Sequence, residues 1–440
     1  MLPKPTRRQT ILRLALPIIA GMLSQSLINL IDAAMVGSLG EVPLAGVGIG
    51  GYAMFLITAL VFGLSSGVQA QTARRHGEEA WADRAVPLNA GLLIALATSV
   101  PITALCLWQA LLALINQDPA VNAVAVEYFR WRVVSLVAVA MIFCFRGYWN
   151  GIQQTGIYLR IILVMHAINV AASLGLIFGY LGLPAMGAAG AGAGTSLSLF
   201  AGLAIWALLS RRHAVGSGFL AGVPRPLTFV TTLRLATPHS FQQLWFAAGY
   251  AVLFWILGQI GTASVAVGHV LVNLSLLLIL PGVGLGMAAM SLVGQAMGRE
   301  ALGDAHRWGW EVVHLAWLCL AALALPMALF PEAVLGLFLH DPALVALGRL
   351  PLQLTALMIV LDAAALVLAQ ALLGAGANRT VMTTTLGLQW LVFLPLAWWV
   401  GVGLEQGLLG IWWVQLAYRC LNSAWFAVIW QRRRWQQLEV

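Results

Sequence analysis

The chain has 440 residues, of which 61% are hydrophobic and 9% are charged, with a formal net charge of +8. A soluble protein carries about 25% charged residues, so this composition excludes an ordinary soluble domain. The basic residues lie in short loops between apolar runs rather than on one face or tail, which argues against a protein that binds nucleic acid.

Twelve apolar runs are long enough to cross a bilayer, since a spanning helix needs about 20 apolar residues. In chain order they lie near residues 11–39, 44–72, 86–115, 128–151, 158–181, 187–210, 231–258, 265–296, 308–331, 349–374, 380–401 and 408–430. The first run is too long for the core of a signal peptide, so we expect it in the mature protein. The sequence therefore predicts an all-α polytopic membrane protein with twelve transmembrane helices.

Basic residues are concentrated in alternate loops, and this bias sets the orientation in the membrane. On one side of the membrane, the loops contain Arg74, Arg75, Arg84, Arg211, Arg212, Arg225, Arg299 and Arg307, Arg160 begins the fifth span, and Arg432, Arg433 and Arg434 close the chain. The intervening loops, near 40–43, 182–186, 259–264 and 402–407, contain none; Arg130, Arg132 and Arg349 are the exceptions on that side. Both termini are therefore expected in the cytoplasm, which requires an even number of spans.

The second half of the chain repeats the first at an offset of 221 residues. The segment Leu12-Arg13-Leu14-Ala15-x-Pro17 returns as Leu233-Arg234-Leu235-Ala236-x-Pro238, and Glu79-Ala80-x-x-Asp83 returns as Glu300-Ala301-x-x-Asp304. Shared Arg, Pro and acidic residues in one register indicate a duplication rather than a chance match of apolar runs. We expect two lobes of six helices, 1–215 and 216–440, as parallel repeats around a central cavity.

This architecture is typical of a transporter. The loops are short, and they contain no nucleotide-binding, metal-ligand or nucleophile motif. We therefore expect neither enzyme activity nor a cofactor or metal site, and we expect transport to be driven by an ion gradient or by the gradient of the substrate itself.

Several motifs resemble those of the multidrug and toxic compound extrusion (MATE) family, and they occur in that family's order. They are Asn29-Leu30-Ile31-Asp32-Ala33-Ala34-Met35-Val36-Gly37 in the first helix, Pro17 before it, Phe145-Arg146-Gly147-Tyr148-Trp149-Asn150-Gly151, Gly182-Leu183-Pro184-Ala185-Met186-Gly187-Ala188-Ala189-Gly190, and Gly374-Ala375-Gly376 with Arg379-Thr380. No one of these motifs is strongly specific, but their order and spacing together are. The resemblance covers nearly the whole chain.

The resemblance implies a cation-coupled antiporter that exports amphipathic organic cations in exchange for H⁺ or Na⁺. It implies a multi-pass protein of the bacterial inner membrane, and we expect a monomer in the lipid bilayer. Pro17 stands where the family has a kinking proline. Two positions depart from the pattern: Ser173 replaces an aspartate that many members have, and Ala247 aligns with an acidic residue of the NorM branch.

Asp32 is the clearest candidate for cation coupling, because charged side chains at bilayer depth are costly and are usually functional. It lies about 10 Å below the outer end of the first span at 1.5 Å per residue. On the fifth span, Ser173 lies about 12 Å and Asn169 about 18 Å below the same surface. We expect these three side chains to form one polar site. The alternative for each is a hydrogen bond that only joins two helices.

A second candidate pair lies in the C-terminal half. The resemblance places Asp362 where the NorM branch has a cation-binding aspartate. Arg419 lies eleven residues into the last span, too deep to reach an interface easily. The two depths, about 20 and 16 Å, differ by less than one helical turn, so we expect an ion pair that keeps Asp362 ionised.

Other classes of protein fit less well. A flippase for lipids or lipid-linked oligosaccharides is the alternative within the same superfamily, and we would expect it to have extra spans or an arginine-lined cavity. An ion channel would need a selectivity filter or a ring of charges, and neither is visible in the sequence.

Overall fold

A computed structural model describes residues 4–108 and 118–438, and the regular secondary structure in these ranges is helical. The helices are α1 (Pro5–Gly37), α2 (Glu41–Gly77), α3 (Val86–Trp108), α4 (Pro119–Val133), α5 (Leu136–Gly151), α6 (Thr155–Phe178), α7 (Ala188–His213), α8 (Pro226–Ile260), α9 (Thr262–Gly298), α10 (Leu302–Leu329), α11 (Pro331–Gly336), α12 (Pro342–Gly374), α13 (Asn378–Leu386), α14 (Leu394–Trp398) and α15 (Gly407–Gln431). Helix α13 continues into π-helical turns at Gly387–Phe393 and Trp399–Gly403, on either side of α14.

In the part of the chain that the structure describes, ten helical segments are long and apolar enough to cross a membrane. Helices α4 and α5 are bent by 47° at their junction and qualify together as an eleventh span. Helix α15 has 25 residues, which is enough to cross, although polar residues make it less apolar. The predicted all-helical, polytopic architecture is confirmed, with ten to twelve spans.

The repeat seen in the sequence extends to the backbone. Helices α8 and α9 begin 221 residues after α1 and α2, and α9 also ends 221 residues after α2. The turns that follow α2 and α9 each contain a glutamate with positive φ, 58° at Glu79 and 57° at Glu300. A residue other than glycine rarely adopts this conformation, so the coincidence supports a duplication.

Contacts between residues divide the chain into two compact units. The C-terminal unit consists of Met1–Ile19 with Phe241–Val440, and the N-terminal unit is Ala20–Ser240. Helices α1 and α8 therefore each contribute residues to both units. The lobes 1–215 and 216–440 remain a prediction from the repeat.

In the C-terminal unit, Arg7 joins the start of α1 to α10. Its guanidinium donates to Asp304 Oδ1 at 2.6 Å and to Glu311 Oε2 at 2.5 Å. It also lies over the ring of Trp308, 3.5 Å from the ring centroid. Two ion pairs and one cation–π contact thus hold the first turns of α1 to α10.

In the N-terminal unit, the first part of α8 packs closely on α2. Ser240 Oγ accepts a hydrogen bond from the backbone N–H of Gly63 at 2.9 Å, and Gln71 donates to Thr232 Oγ1 at 2.8 Å. A side chain at Gly63 would overlap the backbone oxygen of Ala236. The glycine is therefore required for the close approach of the two helices.

Candidate functional site

The three residues predicted to form a polar site lie together in the N-terminal unit. Asn169 Nδ2 lies 3.5 Å from Asp32 Oδ2 and 3.4 Å from Thr195 Oγ1, and it donates towards both oxygens. Ser173 Oγ donates to Asn169 Oδ1 at 3.0 Å. The shorter bond from Ser173 orients the amide, whereas the two bonds from the amide are long. Helices α1, α6 and α7 thus each contribute to one cluster.

Helical spacing explains how α6 builds its part of this cluster. Asn169 and Ser173 are four residues apart, so they lie on the same face of the helix. On the facing helix, a Cβ atom at Gly194 would lie 2.7 Å from Ser173 Oγ. The small residues at the start of α7 therefore let it approach α6, and a side chain at position 173 must be small.

The two carboxylate oxygens of Asp32 differ in their surroundings. The neighbours of Asp32 are shielded from solvent, since Asn169 is 5% exposed and Ser173 is fully buried. Asp32 Oδ1 is buried and has no hydrogen-bond partner among the described residues. A buried acceptor without a partner is costly, and a bound proton or cation would relieve that cost. This oxygen is chemically suited to bind and release H⁺ or a cation.

The second predicted pair lies in the C-terminal unit. Arg419 Nη1 donates to Asp362 Oδ2 at 2.7 Å, and Asn422 Nδ2 donates to Asp362 Oδ1 at 3.2 Å. Asp362 is 2% exposed and Arg419 is 7% exposed. Both oxygens of this carboxylate therefore have a partner, in contrast to Asp32. The guanidinium balances the negative charge of this carboxylate.

Thr195 and Asn422 also belong to these clusters, although the sequence analysis did not single them out. The sequence does contain a pattern that could have identified Asn422: Gln415, Arg419 and Asn422 follow the spacing i, i+4 and i+7 of one helix face. No comparable pattern marks Thr195. It is close to Asn169 only because α7 packs against α6.

Pro17 lies within α1, which continues past it to Gly37. It belongs to the part of α1 in the C-terminal unit, whereas Asp32 belongs to the N-terminal unit. Because proline removes one backbone hydrogen bond from a helix, this position is a typical place for bending.

Comparison with protein families gives a match over most of the chain. The model of the MatE family matches residues 17–181 and 238–399. The two matched segments include five of the predicted site residues, among them Pro17, Asp32, Asn169 and Asp362. Ser173 also lies in the first segment, and Arg419 lies beyond the second.

Individual proteins of known description are similar over nearly their full length. A probable multidrug resistance protein NorM from Pseudomonas aeruginosa is 27% identical over 422 residues, which cover 93% of this chain and 86% of the relative. A probable multidrug resistance protein NorM from Thermotoga maritima is 25% identical over 451 residues, which cover 100% of this chain and 96% of the relative. A MOP superfamily transporter from Pyrococcus furiosus has the same fold, with a TM-score of 0.89 and 21% identity over 98% of this chain and 97% of that one.

Proposed function

Because this chain belongs to the MatE family of membrane transporters, we propose that it is an antiporter that exports amphipathic organic cations in exchange for H⁺ or Na⁺. The chain is a multi-pass membrane transporter rather than an enzyme, and its substrates are small molecules. The similar NorM proteins are described as multidrug resistance proteins, which supports efflux of drug-like compounds.

The proposed location is the inner membrane of a bacterium, with the protein acting as a monomer. The similar NorM proteins come from bacteria, which supports the inner membrane as the location. The concentration of arginine in alternate loops supports a cytoplasmic position for both termini.

The observation that carries the proposed coupling is the unpaired oxygen of Asp32. One oxygen faces Asn169 and the other is buried without a partner among the described residues. A carboxylate in this state can exchange a proton for a cation as its surroundings change. Asn169 and Ser173 would then orient the carboxylate, and Pro17 would allow α1 to bend as the site opens to either side.

Asp362 has a different proposed role. Arg419 neutralises it at 2.7 Å, so it has little reason to bind Na⁺ while this pair is intact. Coupling then depends mainly on Asp32, which favours protons as the driving ion. A flippase is the alternative function, and the names of the similar NorM proteins favour drug export over it.

The test is efflux of a fluorescent organic cation from proteoliposomes, with a pH gradient and a Na⁺ gradient imposed separately. We expect efflux that depends on the pH gradient and stops when a protonophore collapses it. Efflux that requires Na⁺ alone would contradict proton coupling, and no efflux under either gradient would contradict the proposed antiport.

A further inference from the structure

The segment that follows α15 folds back onto the start of α10. Trp435 is 3% exposed, stacks on Trp430 with 4.0 Å between the ring centroids, and donates to the Trp430 carbonyl at 3.0 Å. Gln436 donates to the carbonyl of Leu302, the first residue of α10, at 3.1 Å. These contacts hold the end of α15 against the start of α10.

Five arginines surround this junction, and the side chain of each is exposed. Arg299 and Arg307 flank the start of α10, and Arg432, Arg433 and Arg434 follow α15. The two groups are adjacent, because Arg433 Nη2 lies 3.5 Å from His306 Nδ1. None of the five forms an ion pair with a residue that the structure describes. Their guanidinium groups are therefore open to a partner from outside the chain.

Acidic residues do not balance the charge of this junction. Asp304 and Glu311 of α10 both form ion pairs with Arg7, and Glu300 lies in the turn before α10. The five arginines and Arg7 carry six positive charges against the three negative charges of these acidic residues. The described residues of the junction thus keep an excess of positive charge, which favours an anionic partner.

The length of α15 places the junction at the depth of the lipid headgroups. The helix has 25 residues, so it is about 37 Å long at 1.5 Å per residue, whereas the hydrocarbon core of a bilayer is about 30 Å thick. Residues just beyond its end therefore lie beside the phosphate groups of the lipid. Arginine binds phosphate through paired N–H donors, which makes an exposed guanidinium at this depth a suitable ligand.

We propose that these five arginines form a binding surface, the α10–α15 surface, for the phosphate headgroup of an anionic phospholipid. Clusters of basic residues next to the cytoplasmic end of a spanning helix attract anionic lipids, and the arginine bias of the loops supports a cytoplasmic position for this end. The contacts of Trp435 and Gln436 fix the chain that carries three of the arginines, so little backbone ordering is needed on binding. The inference does not depend on the proposed antiport.

The internal repeat supplies a matched control in the N-terminal unit. At the 221-residue offset, Arg211 and Arg212 stand at the equivalents of the first two arginines after α15. Glu78 and Val86 stand at the equivalents of the two arginines that flank the start of α10. The equivalent surface thus keeps one arginine pair but has an acidic and an apolar residue in place of the other.

The experiment measures bound phospholipid by native mass spectrometry of the full chain in a non-ionic detergent. Phosphatidylglycerol and phosphatidylcholine are added at equal concentration, and excess inorganic phosphate is added as a competitor without acyl chains. The double variant Arg432→Gln with Arg433→Gln removes two charges, and Arg432→Lys with Arg433→Lys keeps them. Arg211→Gln with Arg212→Gln is the control, and thermal unfolding without lipid checks that each variant is folded.

We expect the wild type to retain phosphatidylglycerol in preference to phosphatidylcholine. Arg432→Gln with Arg433→Gln should weaken binding of phosphatidylglycerol at least about tenfold, because each basic residue near an anionic membrane surface contributes about fivefold. The lysine variant should keep most of the affinity, and the control should bind as the wild type does.

An equal loss in the two glutamine variants would overturn the proposal, because it would indicate a non-specific attraction of lipid to any arginine on this side of the membrane. Equal retention of the two lipids by the wild type, or unchanged binding in Arg432→Gln with Arg433→Gln, would also overturn it. Displacement of the lipid by inorganic phosphate would indicate a site for a free anion and would contradict a lipid-binding surface.

Discussion

Arg419 and Asp362 form a buried ion pair that joins α15 to α12, with Nη1 of the arginine 2.7 Å from Oδ2 of the aspartate. Asn422, one turn further along α15, donates to the other carboxylate oxygen at 3.2 Å. The pair thus has its charges balanced and both carboxylate oxygens hydrogen-bonded. Removing only one partner of such a pair destabilises the folded protein, because it leaves a single buried charge without a counter-charge.

We expect Asp362→Asn to lower the free energy of unfolding by about 3–5 kcal/mol, the usual cost of leaving one partner of a buried pair uncompensated. Chemical unfolding in mixed micelles would measure it. The double variant Asp362→Leu with Arg419→Met should recover most of that loss, since apolar residues of similar volume often replace a buried pair without penalty. Glu405→Gln removes an exposed charge and serves as the control. Wild-type stability in Asp362→Asn would contradict this account.

Asp32→Asn should abolish ion-driven efflux while the protein remains folded and inserted. The amide keeps the shape of the carboxylate but cannot exchange a proton or balance a cation. Efflux in proteoliposomes at matched protein content would test this, with Glu127→Gln, an exposed change in the same unit, as the control. If Asp32→Asn exports dye at the wild-type rate, Asp32 has only a structural role.

Arg7→Gln should destabilise the C-terminal unit, whereas Arg8→Gln should not. Arg7 forms ion pairs with Asp304 and Glu311 and lies over Trp308, while its neighbour Arg8 is exposed. The expected loss is about 1–3 kcal/mol, because these bonds are charge-assisted but only partly buried. Thermal unfolding of the two variants, at low and high salt, would measure the difference. Equal melting temperatures would contradict the proposed anchoring of α1.

Gly63 and Gly284 are equivalent positions of the repeat, and we expect Gly63→Ala to destabilise the protein more than Gly284→Ala. The new Cβ at Gly63 would overlap the backbone oxygen of Ala236, which cannot easily move, so we expect a loss of about 1–3 kcal/mol. At Gly284 the nearest atom belongs to the Ile19 side chain, which can change its rotamer, so the loss should be smaller. Gly48→Ala, with no atom within 4 Å of the new Cβ, should be neutral or stabilising. A larger loss of stability in Gly284→Ala than in Gly63→Ala would contradict the close packing of α8 on α2.

The lengths of the spans, the arginine bias between loops and the internal repeat could be read from the sequence because each depends only on the order of residues along the chain. Apolar runs of sufficient length must become spanning helices, since a backbone in lipid has to satisfy its own hydrogen bonds. The 221-residue offset needed only the order of residues. The proximity of Asp362 to Arg419 could also be expected, because helical rise converts position along a span into depth.

The partners of most polar side chains were decided by the tertiary structure. Depth places two residues at one level but does not say which helix faces which, so the contact of Asn169 with Thr195 was not predictable. That no described residue forms an ion pair with Arg146 could not be read from the sequence for the same reason. Nor could the division of α1 and α8 between the two compact units, because it depends on long-range packing at Gly63 and on the contacts of Arg7. Local chemistry determines which segments enter the membrane, whereas the packing of helices from distant parts of the chain determines which side chains meet there.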